Sequence, residues 1–190
     1  MDRKRVIKRL AALFGEMVKN RNSMGKVWKN IALGKEAFGL MAELPDVLPG
    51  EYETPAEKAA LLGRMLEQME ETLSPRFCIG VREYMKGLDA GNEENERKMG
   101  QLRDFVNPDL PVEAYCQKYG RCLKFDPVER TQEWEDCIED VERECARRLR
   151  FQRWRMGFCF VYWSVKREAL EKRGIEWRSP KAMNPRVMFD

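Results

Sequence analysis

From Thr131 to residue 170 the chain carries no proline and spaces its apolar side chains as a helix does, yet the face they mark reverses part-way along. At about 100° per residue, Trp134, Ile138, Val141, Cys145 and Leu149 share one side of a helix. Phe151, Trp154, Phe158, Val161 and Val165 fall on roughly the opposite side. One straight helix cannot bury both stripes against the same neighbours. A kink or break is therefore expected between 150 and 157, with Gly157 as the weak point. The stretch 158–165 (FCFVYWSV) is strand-like in residue type, but no second strand is in view to pair with it, so helix is favoured. Its apolarity marks it as the most buried element.

The preceding residues repeat the same periodicity in shorter pieces. Val6, Leu10, Leu13 and Met17 form an apolar stripe, widened by Ile7, Phe14 and Val18, on a helix over 3–20 whose other face is basic. A second apolar segment, 27–44, contains Gly34 and Gly39, residues that weaken a helix and allow close packing. Thr54, Pro55 and Glu57 combine an N-cap, a first-turn proline and a capping-box glutamate, and Ser74-Pro75 repeats the start signal. Further helices are expected over about 93–106 and 111–119, with a turn at 89–92. The tail 174–190 has two prolines and no period, yet Trp177, Met183, Met188 and Phe189 are too apolar for a free end. The expected fold is all-α: a single helical domain over 1–190, built as an irregular bundle of six to eight helices with the irregular C-terminal tail packed on it. Residues 1–48 form a semi-independent N-terminal helical pair.

Charge is distributed in blocks. Residues 1–35 carry ten basic and two acidic side chains, and 145–190 carry twelve and four. Residues 36–75 carry two basic and nine acidic, and 129–144 two and eight, so the overall charge of +3 hides strong local fields. With 43% apolar and 35% charged residues the chain is neither disordered by composition nor membrane-embedded. The longest apolar run, 156–165, is about half of what a membrane span needs. The basic N-terminal segment lacks the continuous apolar stretch of a secretory signal, which makes the cytoplasm the expected compartment and reduced thiols the expected state of the six cysteines.

The absence of histidine removes Ser-His and Cys-His nucleophile pairs, a histidine base and histidine metal ligands. No phosphate-loop or dinucleotide-binding glycine pattern occurs. Cys116, Cys122, Cys137 and Cys145 are separated by five, fourteen and seven residues, unlike the short pairs of zinc sites, and are read as small buried hydrophobes. Carboxylates offer the remaining catalytic route. Asp136, Asp140 and Glu144 align along one helix, with Glu133 and Glu139 beside them, and Glu67, Glu70 and Glu71 come from another segment. Clustered carboxylates of this kind hold Mg²⁺ in helical nucleotide hydrolases, but acidic residues also gather near helix starts to complement the macrodipole.

The two basic stretches are the candidate binding residues: Arg3, Lys4, Arg5, Lys8 and Arg9, and Arg147, Arg148, Arg150, Arg153 and Arg155. Arginine among aromatic residues such as Phe151 and Trp154 suits RNA or single-stranded DNA, if the aromatics are exposed to stack on bases. Phe151 and Trp154 fit a core stripe better. The favoured reading is therefore a non-catalytic helical protein that mediates protein–protein interaction or self-association. RNA or single-stranded DNA binding is the alternative and a Mg²⁺-dependent nucleotide hydrolase the second alternative. No catalytic residue, metal ligand set, cofactor or membrane contact is assigned.

Overall fold

The structure, a computed structural model, describes residues 3–152 and 156–189. Among these residues all regular structure is helical: nine α-helices, linked in places by short 3-10 turns. The chain divides into two compact units, Met1–Arg103 and Asp104–Asp190.

The first unit holds α1 (Arg3–Arg21), α2 (Asn30–Glu43), α3 (Pro55–Glu67), α4 (Pro75–Leu88) and most of α5 (Glu93–Val106). Leu13 and Met17 of α1 and Ala37 and Met41 of α2 enter the same core as Leu62, Met65 and Leu66 of α3 and Val81 and Met85 of α4. Gly34 is the glycine that close packing requires. A Cβ there would stand 2.6 Å from the Met69 sulfur, whereas one at Gly39 would meet nothing within 4 Å.

The two start signals differ in outcome. Thr54 caps α3 as expected, its Oγ1 accepting from the Glu57 N–H at 3.2 Å, while the Glu57 carboxylate accepts from Glu53 N–H rather than from Thr54. Pro75 opens α4, but Ser74 makes no cap bond. A 3-10 turn at Glu71–Leu73 leaves Ser74 at ψ 66°, outside the extended conformation of an N-cap. Its hydroxyl is buried with no hydrogen-bond partner among the described residues.

The loop 44–54 is fastened to this unit by a lysine. Lys58 is fully buried, and its Nζ donates to the Leu44 carbonyl at 2.7 Å and to Asp46 Oδ1 and the Tyr84 hydroxyl at 2.9 Å each. Burial opposes the ammonium, but the bonds to Tyr84 and Asp46 outweigh it and hold its pKa above the ordinary lysine value.

In the second unit α6 (Val112–Lys118), α7 (Gln132–Arg148), α8 (Phe158–Glu171) and the single turn α9 (Pro180–Met183) follow the end of α5. Phe105, Tyr115 and Phe125 pack ring against ring. Trp134, Ile138, Val141 and Cys145 of α7 are buried as their spacing predicts. The tail does pack: Trp177 is buried 6.1 Å from the Trp134 ring, and Asn184 exchanges two hydrogen bonds with the backbone of Lys124. Met188 departs from the expectation and is 93% exposed.

The expected break is present and starts earlier than placed. Helix α7 ends at Arg148, and α8 begins after Gly157, whose φ of +78° is the left-handed conformation that glycine adopts without strain. The segment 158–165 is helical, but it is not the most buried element. Val165, Lys166, Ala169 and Leu170 are buried, whereas Phe160 and Val161 are exposed and Phe158 is half-buried. Helix α8 is covered along the stripe it turns to α7, and a helix buried on one side leaves the opposite stripe in solvent whatever its residue types.

Candidate interaction surface

The acidic block on α7 is neutralised within its own unit. Arg143 pairs with Glu139 and Asp140 on the same helix. Glu144 receives Lys172 and Arg173, each at 3.2 Å, and these cations hold its carboxyl below the ordinary carboxylate range. Glu142 is buried and accepts from Lys166 Nζ at 2.8 Å and from the Tyr162 hydroxyl. Of the carboxylates proposed for Mg²⁺, Glu139, Asp140 and Glu144 are thus engaged by cations, whereas Glu67 and Glu133 form no ion pair among the described residues. Asp136 accepts from Gln132, Glu70 pairs with Arg21, and Glu71 receives a bidentate Arg82. No group of three potential metal ligands is found among the described residues.

Lys166 sits at the centre of a polar cluster that the sequence patterns did not reveal. Its Nζ lies 4.9 Å from the Trp134 ring centre, 5.5 Å from Trp177 and 5.7 Å from Tyr162. Three aromatic faces and one carboxylate replace the water that a buried ammonium gives up. Burial pushes the Tyr162 hydroxyl well above its ordinary pKa, with the Glu142 charge adding to the effect. Glu129 closes the cluster by accepting from Trp177 Nε1 at 2.8 Å, and burial raises its carboxyl above the usual range. Asp126, which caps the 3-10 turn Pro127–Arg130, accepts from both the backbone N–H and the Nε of Arg178. These bonds are internal and hold the tail.

The C-terminal basic residues divide. Arg148 is paired with Glu168 at 2.6 Å. Arg147 is exposed and forms no ion pair among the described residues. The Arg150 guanidinium lies 4.5 Å from the Phe151 ring centre. Arg153, Trp154 and Arg155 lie outside the described residues. Phe151 itself is 84% exposed, which overturns its assignment to a core stripe. Helix α7 stops before it, so the periodicity that put it on a buried face does not apply. Met156 is exposed to the same degree, and Phe160 and Val161 are exposed on α8. From Phe160 a line of edge-to-face rings runs through Trp163 to Phe189, beside exposed Met188. The result is an apolar surface at the start of α8, with Arg147 and Arg150 on the segment that leads to it.

The N-terminal basic residues belong to the first unit and are more engaged. Arg9 makes a two-bond pair with Glu36 at 2.6 and 2.7 Å, and Arg3 donates to the Pro49 carbonyl. Lys4 has a partner, while Arg5 and Lys8 are exposed on the outer face of α1. Of the six cysteines, Cys78, Cys116 and Cys145 are buried, and burial pushes the Cys145 thiol up to about 12. Cys122 is exposed and Cys137 half-buried, against the expectation for both, because Cys122 lies in the loop after α6 and Cys137 at the edge of the α7 stripe. No described helix is long and apolar enough to cross a membrane. No family model, curated protein or solved structure matches this chain.

Proposed function

We propose that this protein is a non-catalytic cytoplasmic helical protein that docks a protein partner, or a second copy of itself, through the surface formed by residues 147–152, 156 and the start of α8. The observation that carries the reading is the exposure of Phe151 and Met156, 84% and 86%, together with that of Phe160 and Val161 at the start of α8. Large apolar side chains scattered singly need no explanation, but four exposed within eleven residues, with arginines that form no ion pair among the described residues just ahead of them, have the composition of an interface centre and its rim. Five of the eight candidate carboxylates, Glu70, Glu71, Glu139, Asp140 and Glu144, are tied to cations, which supports binding over hydrolysis.

The exposed Phe151 under the Arg150 guanidinium also suits stacking on unpaired bases, so the experiment separates the two partners. Light-scattering mass is measured beside a titration with single-stranded RNA at low and high salt. The protein-docking reading expects a mass above the monomer that Phe151→Ser with Phe160→Ser lowers, and weak RNA binding at either salt. Tight RNA binding by a monomer, falling steeply with salt and lost on Arg147→Glu with Arg150→Glu, would replace it with the nucleic-acid reading.

A further inference from the structure

The first unit contains an apolar pocket of about 210 Å³ that opens to solvent. Ile7, Ala11 and Phe14 of α1 form one wall, and Leu48, Glu51 and Tyr52 of the 44–54 loop form another. The Tyr52 hydroxyl is spent on the Pro45 carbonyl, so Glu51 supplies the charge at this edge. Apolar cavities of about 150 Å³ admit a benzene ring, and this one is larger, so a phenyl group fits it by volume.

The charges around the pocket indicate what accompanies that group. Residues 43–57 carry five carboxylates and no cation. Asp46 is taken by Lys58, whereas Glu43, Glu51, Glu53 and Glu57 form no ion pair among the described residues. The α1 side is basic, through Lys4 and Lys8, and Arg3 reaches the loop at the Pro49 carbonyl, where it is outnumbered by the four carboxylates without an ion pair. The occupant that suits this site is an aromatic side chain flanked on one side by cations. The segment 147–152 of this chain has that composition: Arg147 and Arg150, neither in an ion pair among the described residues, precede an exposed Phe151, with no carboxylate between them.

We propose that copies of this chain associate head to tail, with Phe151 of one copy entering the α1/44–54 pocket of the next while Arg147 and Arg150 face Glu51 and its neighbouring carboxylates. The inference rests on the reading of the 147–152 surface as a docking surface, and it names the occupant and the receptor. Two different patches meet in such a contact, so it closes into a ring or extends as a chain, and the mass rises with concentration.

The test is light scattering of the full-length protein over a concentration series, at low and high salt. Phe151→Ser removes the inserted ring. Ala11→Trp fills the pocket from an exposed helix position, which circular dichroism checks for folding. Each is expected to weaken association about tenfold or more, as loss of a central anchor does. Glu51→Arg and Arg150→Glu should each weaken it alone and restore it when one copy carries the first and its neighbour the second. That mixed-copy rescue needs no change in the pocket's packing and serves if Ala11→Trp fails to fold. Association lost with Phe151→Ser but untouched by Ala11→Trp and Glu51→Arg overturns the pocket as receptor while leaving the docking surface in place. A monomer at every concentration overturns the inference outright.

Discussion

Replacing Lys166 with methionine isolates the worth of the caged cation in the second unit. Methionine matches the length of the lysine stem, so packing against Trp134 and Trp177 is largely kept. What is lost is the charge that faces Glu142 at 2.8 Å, in a pair whose side chains are only 10% and 9% exposed. Removing one member of a buried pair costs about 3–5 kcal/mol, because the other charge stays buried without compensation. Glu142→Gln should cost less, about 1–3 kcal/mol, the range for a charge-assisted hydrogen bond. The asymmetry follows from the surroundings. Lys166 keeps three aromatic faces when the carboxylate is neutralised, whereas Glu142 keeps only the Tyr162 hydroxyl when the ammonium goes. The double variant leaves no isolated charge and should be more stable than Lys166→Met alone. Urea unfolding followed by tryptophan fluorescence reads these values. With a slope of about 2 kcal/mol/M, the Lys166→Met midpoint should fall by roughly 1.5–2.5 M. A loss under about 1 kcal/mol, or additive costs in the double variant, would falsify the claim that the pair is buried and coupled.

Two further outcomes are expected. Burial raises the Glu129 pKa in the folded protein, so its stabilising contribution is complete below the unfolded value of 4.5 and is lost as pH rises through the folded one. Glu129→Gln keeps an acceptor for Trp177 Nε1 and removes that titration, so the variant should gain stability relative to the parent between pH 4.5 and pH 7; a difference constant with pH refutes this. Ser74→Ala removes a buried hydroxyl with no partner among the described residues, and should raise stability by about 1 kcal/mol rather than lower it as loss of a helix cap does. A fall in the thermal midpoint would show that the hydroxyl is satisfied in solution.

Local patterns carried most of the secondary structure. Thr54-Pro55 starts α3, Trp134 to Cys145 marks the buried side of α7, and the reversal of phase after Leu149 demands the break that Gly157 allows. These depend on neighbours three to four residues apart, where geometry is dictated by the helix itself. The aromatic content of 158–165 misled for the same reason. Periodicity tells which residues share a face, but only a second element decides which face is covered, and at α8 that element lies along Val165 and Ala169, away from Phe160 and Val161. Phe151 could be placed in a core only by extending a helix that stops at Arg148. Charge behaved likewise: the acidic run on α7 and its local partner Arg143 are plain in the sequence, yet the cations that meet Glu142 and Glu144, namely Lys166, Lys172 and Arg173, stand more than twenty residues downstream. Whether a charge is free to meet a partner, and whether an aromatic ring is core or contact, is decided by approaches between distant segments. The sequence determined the helices and where they break; tertiary packing alone decided which apolar and charged groups were left for solvent.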